Sequence, residues 1–180
     1  MTHKTHVTFS INAFLLPVVS YAYLTNNSID IVQFNAVASG VVLGSLLPDI
    51  DEPQSRIGKR TMGISNIIKA IFGHRGATHY LIAPSIILLL AIFVYQSNQI
   101  YGLFTLGISY GYLFHLFGDM MTISGIRRFF YPFGKKKPYW ILPKKLRFYT
   151  NSFKEHVLNA ALTALLGGQI YLLYILEGFK

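Results

Sequence analysis

Residues 76–118 decide the fold, and they read GATHYLIAPSIILLLAIFVYQSNQIYGLFTLGISYGYLFHLFG without a single Asp, Glu, Lys or Arg. A helix that crosses a bilayer needs about 20 predominantly apolar residues. This stretch of 43 residues therefore has room for two membrane-spanning helices joined by a tight turn. A soluble domain rarely contains so long a stretch, because about a quarter of its residues are charged.

Three further stretches, residues 7–29, 31–48 and 157–176, also lack strongly charged side chains. We expect five spans, at about 7–24, 31–47, 79–95, 100–117 and 157–176. The predicted fold class is an all-α, polytopic membrane helix bundle with interfacial segments on the cytoplasmic side. The first apolar stretch has no small-residue cleavage site after it, so we expect it to be a retained helix and not a signal peptide.

The overall composition excludes several other classes of protein. Hydrophobic residues make up 52% of the chain and charged residues only 13%, which is far from the composition of a disordered protein or a coiled coil. The chain has no cysteine. A disulfide scaffold, thiolate catalysis and a cysteine-ligated zinc or iron–sulfur site are therefore excluded.

The basic residues predict the orientation of the chain. With five spans, the N-terminus and residues 49–78 and 118–156 share one side, and that side holds 15 of the 16 Lys and Arg residues. Lys and Arg in short loops stay on the cytoplasmic side. We therefore expect a multi-pass protein of the inner (plasma) membrane with a cytoplasmic N-terminus.

Two segments on that side indicate contact with lipid. Residues 61–72 have apolar side chains at helical spacing, which is typical of an amphipathic helix at the membrane surface. Residues 127–153 mix Lys and Arg with Phe, Tyr and Trp, which suits anionic headgroups. Single-stranded nucleic acid can also bind such a mixture, but the apolar spans on both sides favour membrane lipids as the partner.

Histidines and acids collect at the same predicted membrane face, although the chain has only six His and seven Asp or Glu residues. Hydropathy alone does not require this clustering, so it is the strongest sign of a functional site. The members of the cluster are His6, Asp49, Asp51, Glu52, His74, His79, His115 and Asp119.

The spacing of these residues suits metal binding. His115 and Asp119 lie one helical turn apart on the same face, so both can reach one ion. Asp49 and Asp51 lie between two prolines that end the preceding helix. Two histidines, His74 and His79, flank a glycine that allows the chain to break between them.

The two predicted hairpins share a pattern. Thr5-His6 enters the first span and Thr78-His79 the third, while Asp49 leaves the second span and Asp119 the fourth. We interpret this as a pseudo-repeat, in which two similar hairpins build one shared site.

The motifs themselves resemble those of a known family. The segments LPDIDEP at 47–53, HRGATH at 74–79 and HLFGDMMTISG at 115–125, with PF at 132–133 and TH at 5–6, resemble the signature blocks of the YdjM family of inner-membrane, predicted metal-dependent hydrolases. The resemblance covers residues 2–133 and implies a multi-pass membrane protein with that activity. Tyr80 departs from the pattern, because the family has Ser at the corresponding position.

The donor set itself, with more than four His and Asp side chains and no sulfur, suits a divalent metal such as zinc or manganese, bound as one or two ions. The predicted ligands are His6, Asp49, Asp51, His74, His79, His115 and Asp119. Asp49 or Asp51 is the candidate to bridge two ions. Glu52 is the candidate general base, and Arg56 and Arg75 are candidates to bind an anionic oxygen.

A hydrolytic site at a basic membrane face would meet anionic amphiphiles first. The predicted function is therefore hydrolysis of a phosphoester such as a phospholipid or lipid-linked phosphate. The alternative is a non-catalytic, metal-stabilised membrane scaffold or sensor, in which the ion only ties helix ends together. A transporter is disfavoured, because the ionisable residues lie at span ends and not at mid-span.

Residues 1–180 are expected to form a single membrane domain, with a metal-site core over 1–133, a basic, aromatic cytoplasmic segment over 126–156 and the last span over 157–176.

Overall fold

The computed structural model describes residues 1–61, 63–73, 76–134 and 137–176, and of Phe72 only the backbone. Within them the chain is nearly all α-helical, as the sequence predicted. The six helices are α1 (His3–Thr25), α2 (Ile31–Gly44), α3 (Ile64–Phe72), α4 (Ile82–Ser97), α5 (Gln99–Met120) and α6 (Phe153–Ile175). Two short antiparallel strands, β1 (Ile126–Arg127) and β2 (Pro138–Tyr139), form a small ribbon after α5.

Each predicted span corresponds to a helix, but within the described residues only four segments are long and apolar enough to cross a membrane by themselves: His3–Thr25, Ile31–Asp51, Gln99–Met120 and Phe153–Ile175. The second segment consists of α2 and the short 3-10 helix Leu47–Asp51 that follows it. The helix α4 has 16 residues and is therefore about 24 Å long, less than the ~30 Å of a hydrocarbon core.

Polar side chains cap the N-termini of three of the long helices. Asp30 accepts hydrogen bonds from the backbone N–H groups of Val32 and Gln33 at the start of α2. Asn98 and Ser152 cap α5 and α6 in the same way. These caps use N–H groups that have no partner within the helix, and they fix the turns between the apolar stretches.

The closest helix contact joins α2 to α5 through four glycines, Gly40 and Gly44 on α2 and Gly107 and Gly111 on α5. A Cβ atom on Gly44 would lie 2.1 Å from the carbonyl oxygen of Ile108, and one on Gly111 would lie 2.1 Å from that of Val41. The two backbones therefore touch, as in other membrane helix pairs with small residues four apart. This contact places the ends of α2 and α5 side by side.

The helix α1 packs on α5 and α6, and its contact with α6 combines an apolar cluster with hydrogen bonds. The Thr8 hydroxyl donates to Asn159 Oδ1 at 2.8 Å, and Asn12 Nδ2 donates to the Leu162 carbonyl at 2.9 Å. Away from water such groups need partners within the protein. The hydrogen bonds fix α1 against the last helix and set the place where α1 begins.

The segment between α5 and α6 folds back over the start of α4. The Leu81 N–H donates to the Phe129 carbonyl at 2.8 Å, and the Tyr80 and Tyr131 rings lie 4.9 Å apart between centroids. Beneath the segment lies a buried apolar cluster composed of Tyr112, Leu116, Met120, Ile126 and Phe129. The loop that carries His79 is thereby held between this segment and α5.

Candidate metal centre

Five of the predicted ligands meet at one end of the bundle, where α2 and α5 end, α1 begins and the chain enters α4. They fall into two groups, His6 with Asp49 and His115, and His79 with His115 and Asp119. In each group one ligand atom per residue lies within 4.8 Å of the others. His115 belongs to both groups and is the centre of the site.

His115 is completely buried and already oriented for an ion. Its Nδ1 donates to the Ser45 carbonyl at 2.7 Å, which leaves the lone pair on Nε2. Among the described residues this Nε2 has no hydrogen-bond partner, and the Asp49 carboxylate lies 3.6 Å away. A buried acceptor without a partner is rare in proteins, and a histidine fixed through its other nitrogen is the usual form of a metal ligand.

His6 stacks on His115, with ring centroids 3.6 Å apart and planes 8° from parallel. Its Nε2 lies 3.3 Å from Asp119 Oδ1, which also accepts from the amino group of Met1 at 2.6 Å. Gly118 makes this approach possible, because a Cβ atom there would lie 3.1 Å from His6 Nδ1 and 2.3 Å from the Met1 methyl group. The glycine next to Asp119 thus leaves the space that His6 occupies.

His79 lies between two carboxylates. Its Nδ1 lies 3.3 Å from Asp51 Oδ2, and its Nε2 lies 3.6 Å from Asp119 Oδ2. Burial lowers the pKa of His79, but hydrogen bonds and Coulombic attraction from Asp119 and Asp51 outweigh it and raise the pKa to about 9.

Asp51 lies behind His79 and outside both ligand groups. Its Oδ2 accepts the Thr78 hydroxyl, and the Tyr112 hydroxyl donates to the Thr78 carbonyl at 2.6 Å. Such a carboxylate fixes the orientation of a ligand histidine and raises its basicity. The sequence predicted Asp51 as a ligand, which stays a prediction; in the structure its carboxylate lies beside the ring of His79.

Asp119 directs its two oxygens at two different histidines, Oδ1 at His6 and Oδ2 at His79. Either oxygen of Asp119 could therefore serve as a ligand atom, although the sequence interpretation considered only Asp49 and Asp51 for a bridging role. The arrangement also fits the predicted pseudo-repeat, because His6 of the first hairpin and His79 of the second both approach the same carboxylate.

The site opens at Asp49. The side chain of Asp49 is 21% exposed, whereas those of His79 and His115 are fully buried and that of Asp119 is 2% exposed. A small molecule would therefore reach the centre past Asp49, at the end of the segment that contains α2.

The other predicted site residues lie at the edge of the centre or outside the described residues. Glu52 is partly exposed, and its two carboxylate oxygens lie 3.1 and 3.0 Å from Lys69 Nζ. Arg56 is exposed. His74 and Arg75 lie outside the described residues.

Glu155 is an important residue that the sequence interpretation missed. Its carboxylate is buried and accepts from the backbone N–H groups of Thr2 and Asn151, both at 2.6 Å. It therefore caps α1 from another helix and fixes the turn that carries His6. The only signal in the sequence was an acid beside a long apolar stretch.

Comparisons with a family model and with curated proteins point to the same family. The family model described as "YdjM inner membrane protein" matches residues 1–176. The inner membrane protein YdjM of Escherichia coli (strain K12) is 36% identical over 138 residues, which cover 70% of this chain and 63% of that protein, and the Shigella flexneri protein of the same name matches equally. The chain thus covers just under two thirds of these curated relatives.

A protein of Bacillus subtilis (strain 168), named "uncharacterized protein YvsG", is 31% identical over 175 residues, which cover 97% of each chain. No solved structure matches the chain.

Proposed function

The chain belongs to the YdjM inner membrane protein family, and on the basis of its His and Asp centre we propose that it is a membrane-bound, metal-dependent hydrolase of phosphoesters. The substrate in this proposal is a phospholipid or a lipid-linked phosphate. The observation that carries the proposal is the Nε2 atom of His115, buried and without a hydrogen-bond partner among the described residues, with two other histidine rings beside it.

The donor set fits a divalent ion. Imidazole nitrogens and carboxylate oxygens without sulfur suit zinc and manganese, and the two groups of described residues, which share the one free ring nitrogen of His115, offer ligands for such an ion. A divalent ion held there supplies Lewis-acid chemistry and lowers the pKa of water. His6, Asp49, His79, His115 and Asp119 would hold it.

The remaining residues would act on the substrate and on protons. In hydrolysis the water oxygen bonds to phosphorus, the ester P–O bond breaks, and the leaving alkoxide gains a proton. We assign to Glu52 the role of taking the proton from water and passing it on, since it follows Asp51 directly and is partly exposed. Arg56 and Arg75 would bind the phosphoryl oxygens.

The lipid nature of the substrate follows from the place of the centre. The ligands lie at the ends of apolar helices, and exposed basic residues such as Arg56, Lys59 and Arg60 surround the same end. A phosphate group at the surface of a lipid bilayer would lie at this level, and basic side chains attract it.

A second candidate function is a non-catalytic, metal-stabilised scaffold or sensor. It is favoured by the burial of the ligand side chains apart from Asp49, because a structural metal is surrounded by protein whereas a catalytic metal keeps one open coordination position. In this role the ion would join the ends of α1, α2 and α5 to the loop before α4.

Turnover on a panel of phosphoesters separates the two functions. Purified protein loaded with manganese or zinc is incubated with phosphatidic acid, a polyprenyl phosphate and a water-soluble aryl phosphate, and released phosphate or alcohol is measured. We expect turnover that His79→Ala abolishes and that His156→Ala, at an exposed histidine of α6, leaves unchanged. Folded, metal-loaded protein with no turnover on any substrate would favour the scaffold.

A further inference from the structure

The helix α3 exposes a narrow apolar face beside the metal centre. Ile64, Ile67 and Ile71 lie along one side of the helix at i, i+3 and i+7 and are 54%, 61% and 67% exposed. The other side is held by the protein, because Ser65 is buried and Lys69 pairs with Glu52. Three large aliphatic side chains in a row are unusual on a surface that only water covers.

The place of α3 in the chain puts it at the boundary of the membrane. The helix packs against the segment Leu47–Asp51, which is the last part of the spanning segment Ile31–Asp51. The nine residues of α3 make a helix of about 13.5 Å, which is far too short to cross a bilayer. A helix of this length at the end of a spanning segment can only lie along the surface.

The charges around α3 fit an anionic bilayer. Arg56, Lys59 and Arg60 are exposed in the segment just before the helix, and the helix itself has no acidic residue. Basic residues beside an apolar helix face are typical of helices that lie in the headgroup region of anionic membranes. The apolar face is also close in the chain to the lipid-facing surface of α2, so one bilayer can cover both.

From this arrangement we infer that α3 is a membrane-surface helix, with Ile64, Ile67 and Ile71 inserted among the lipids of an anionic bilayer. Because α3 packs on Leu47–Asp51 and Lys69 pairs with Glu52, membrane contact holds Asp49, the exposed ligand of the centre, at the level of the phospholipid headgroups. The inserted helix thereby gives the site access to lipid headgroups, a step that rests on the proposed function, whereas the insertion itself does not.

Site-directed labelling tests the insertion, and the cysteine-free chain makes single-cysteine variants simple. Ile67→Cys is labelled with a fluorophore and the protein is reconstituted in vesicles of phosphatidylethanolamine and phosphatidylglycerol. Asn66→Cys is the matched control, since Asn66 is exposed on the same helix but points about 100° away. Ile71→Cys gives a second label on the apolar face should the Ile67 variant not fold.

We expect phospholipids with a nitroxide on the acyl chain near the headgroup to quench the Ile67 and Ile71 labels several-fold more than the Asn66 label. Aqueous iodide should quench in the opposite order. Equal quenching of the two faces, or access of iodide to Ile67 as free as to Asn66, would overturn the inference. The inference would also be overturned if the Ile67 label lost its protection from iodide when the protein was diluted with more lipid. In that case a second copy of the chain would be what covers the apolar face. Neither readout depends on metal or turnover.

Discussion

At the scale of single residues, His115 organises the centre because the Ser45 carbonyl fixes its ring and leaves Nε2 for a ligand. His6 stacks on one side of the ring and His79 meets it edge-on, with centroids 5.7 Å apart. Among the described residues, His115 Nε2 and His6 Nδ1 are buried without a hydrogen-bond partner, which is costly unless a ligand binds there. The close packing of the histidines is therefore best explained by a role as metal ligands.

A substitution at Asp51 tests whether the orientation of His79 affects metal affinity. Asp51→Asn removes the charge behind His79 while keeping the shape of the side chain, so we expect metal affinity to fall by about 10–100-fold without loss of the site. The measurement is a metal titration of chelator-treated protein.

The control for Asp51→Asn is Asp30→Asn at the far end of α2, where Asn serves as a helix cap as well as Asp does. Equal affinity of both variants and the parent protein would mean that Asp51 does not orient a metal ligand.

Glu155 tests the anchoring of α1. In Glu155→Gln the amide oxygen can accept from only one of the backbone N–H groups of Thr2 and Asn151, because these donate to different carboxylate oxygens and the amide nitrogen is itself a donor. We expect a loss of about 1–3 kcal/mol in unfolding free energy, measured by thermal unfolding in detergent.

Glu52→Gln should cost only about 0–1 kcal/mol, because the Lys69–Glu52 salt bridge is partly exposed. If Glu155→Gln were no more destabilising than Glu52→Gln, the cap assigned to Glu155 would be wrong.

Sequence spacing indicated which residues collect, because His6, His79, His115, Asp49 and Asp119 all stand at span ends on one predicted face. It did not give the direction of each side chain, and the contact of Asp51 with His79, for example, became visible only in the structure. The Thr122 hydroxyl, just after α5, donates to the Asp119 carbonyl at 2.7 Å, a contact that the spacing alone did not reveal.

At the scale of elements, the glycine contact between α2 and α5 controls the distance between Asp49 and His115. The spacing of Gly40 with Gly44 and of Gly107 with Gly111 is visible in the sequence. Which helices these glycines join became clear only from the fold, because several helices carry small residues.

Gly44→Ala tests this contact. The added Cβ would lie 2.1 Å from the Ile108 carbonyl oxygen, so the helices must separate. We expect a loss of about 1–3 kcal/mol in stability, together with reduced metal content because the ligands move apart. Thermal unfolding and elemental analysis measure the two effects.

The matched control is Gly167→Ala on α6, where a Cβ atom meets nothing within 4 Å, so that substitution should leave the metal content unchanged. Gly44→Ala with the same stability and metal content as Gly167→Ala would contradict the close contact.

The charge-free stretches of the sequence predicted the apolar helices, but the ends of the helices in the structure differ from the predicted ends by a few residues. The third predicted span began at residue 79, but α4 begins at Ile82, because residues 77–79 form a 3-10 turn that directs His79 inward. Thr78 is a residue type that often caps a helix, but its hydroxyl donates to Asp51. Tertiary contacts at the site took precedence over local helix signals here.

At the scale of the whole molecule, the protein is an inner-membrane helix bundle with its cluster of His and Asp side chains at one end. The charge asymmetry predicts that this end is cytoplasmic. The positions of the variants Gln54→Cys, at the site end, and Ser97→Cys, at the last residue of α4, are both exposed. In intact cells we expect a membrane-impermeant thiol reagent to label Ser97→Cys and to spare Gln54→Cys until the cells are opened. The reverse pattern would invert the orientation.

The central claim, that the bundle brings His and Asp side chains together to bind a divalent ion, is tested most directly by elemental analysis of the purified protein. The account predicts near-stoichiometric zinc or manganese, lost in His115→Ala and retained in His156→Ala. Parent protein that is folded and active while free of divalent metal, or equal metal content in both variants, would contradict it.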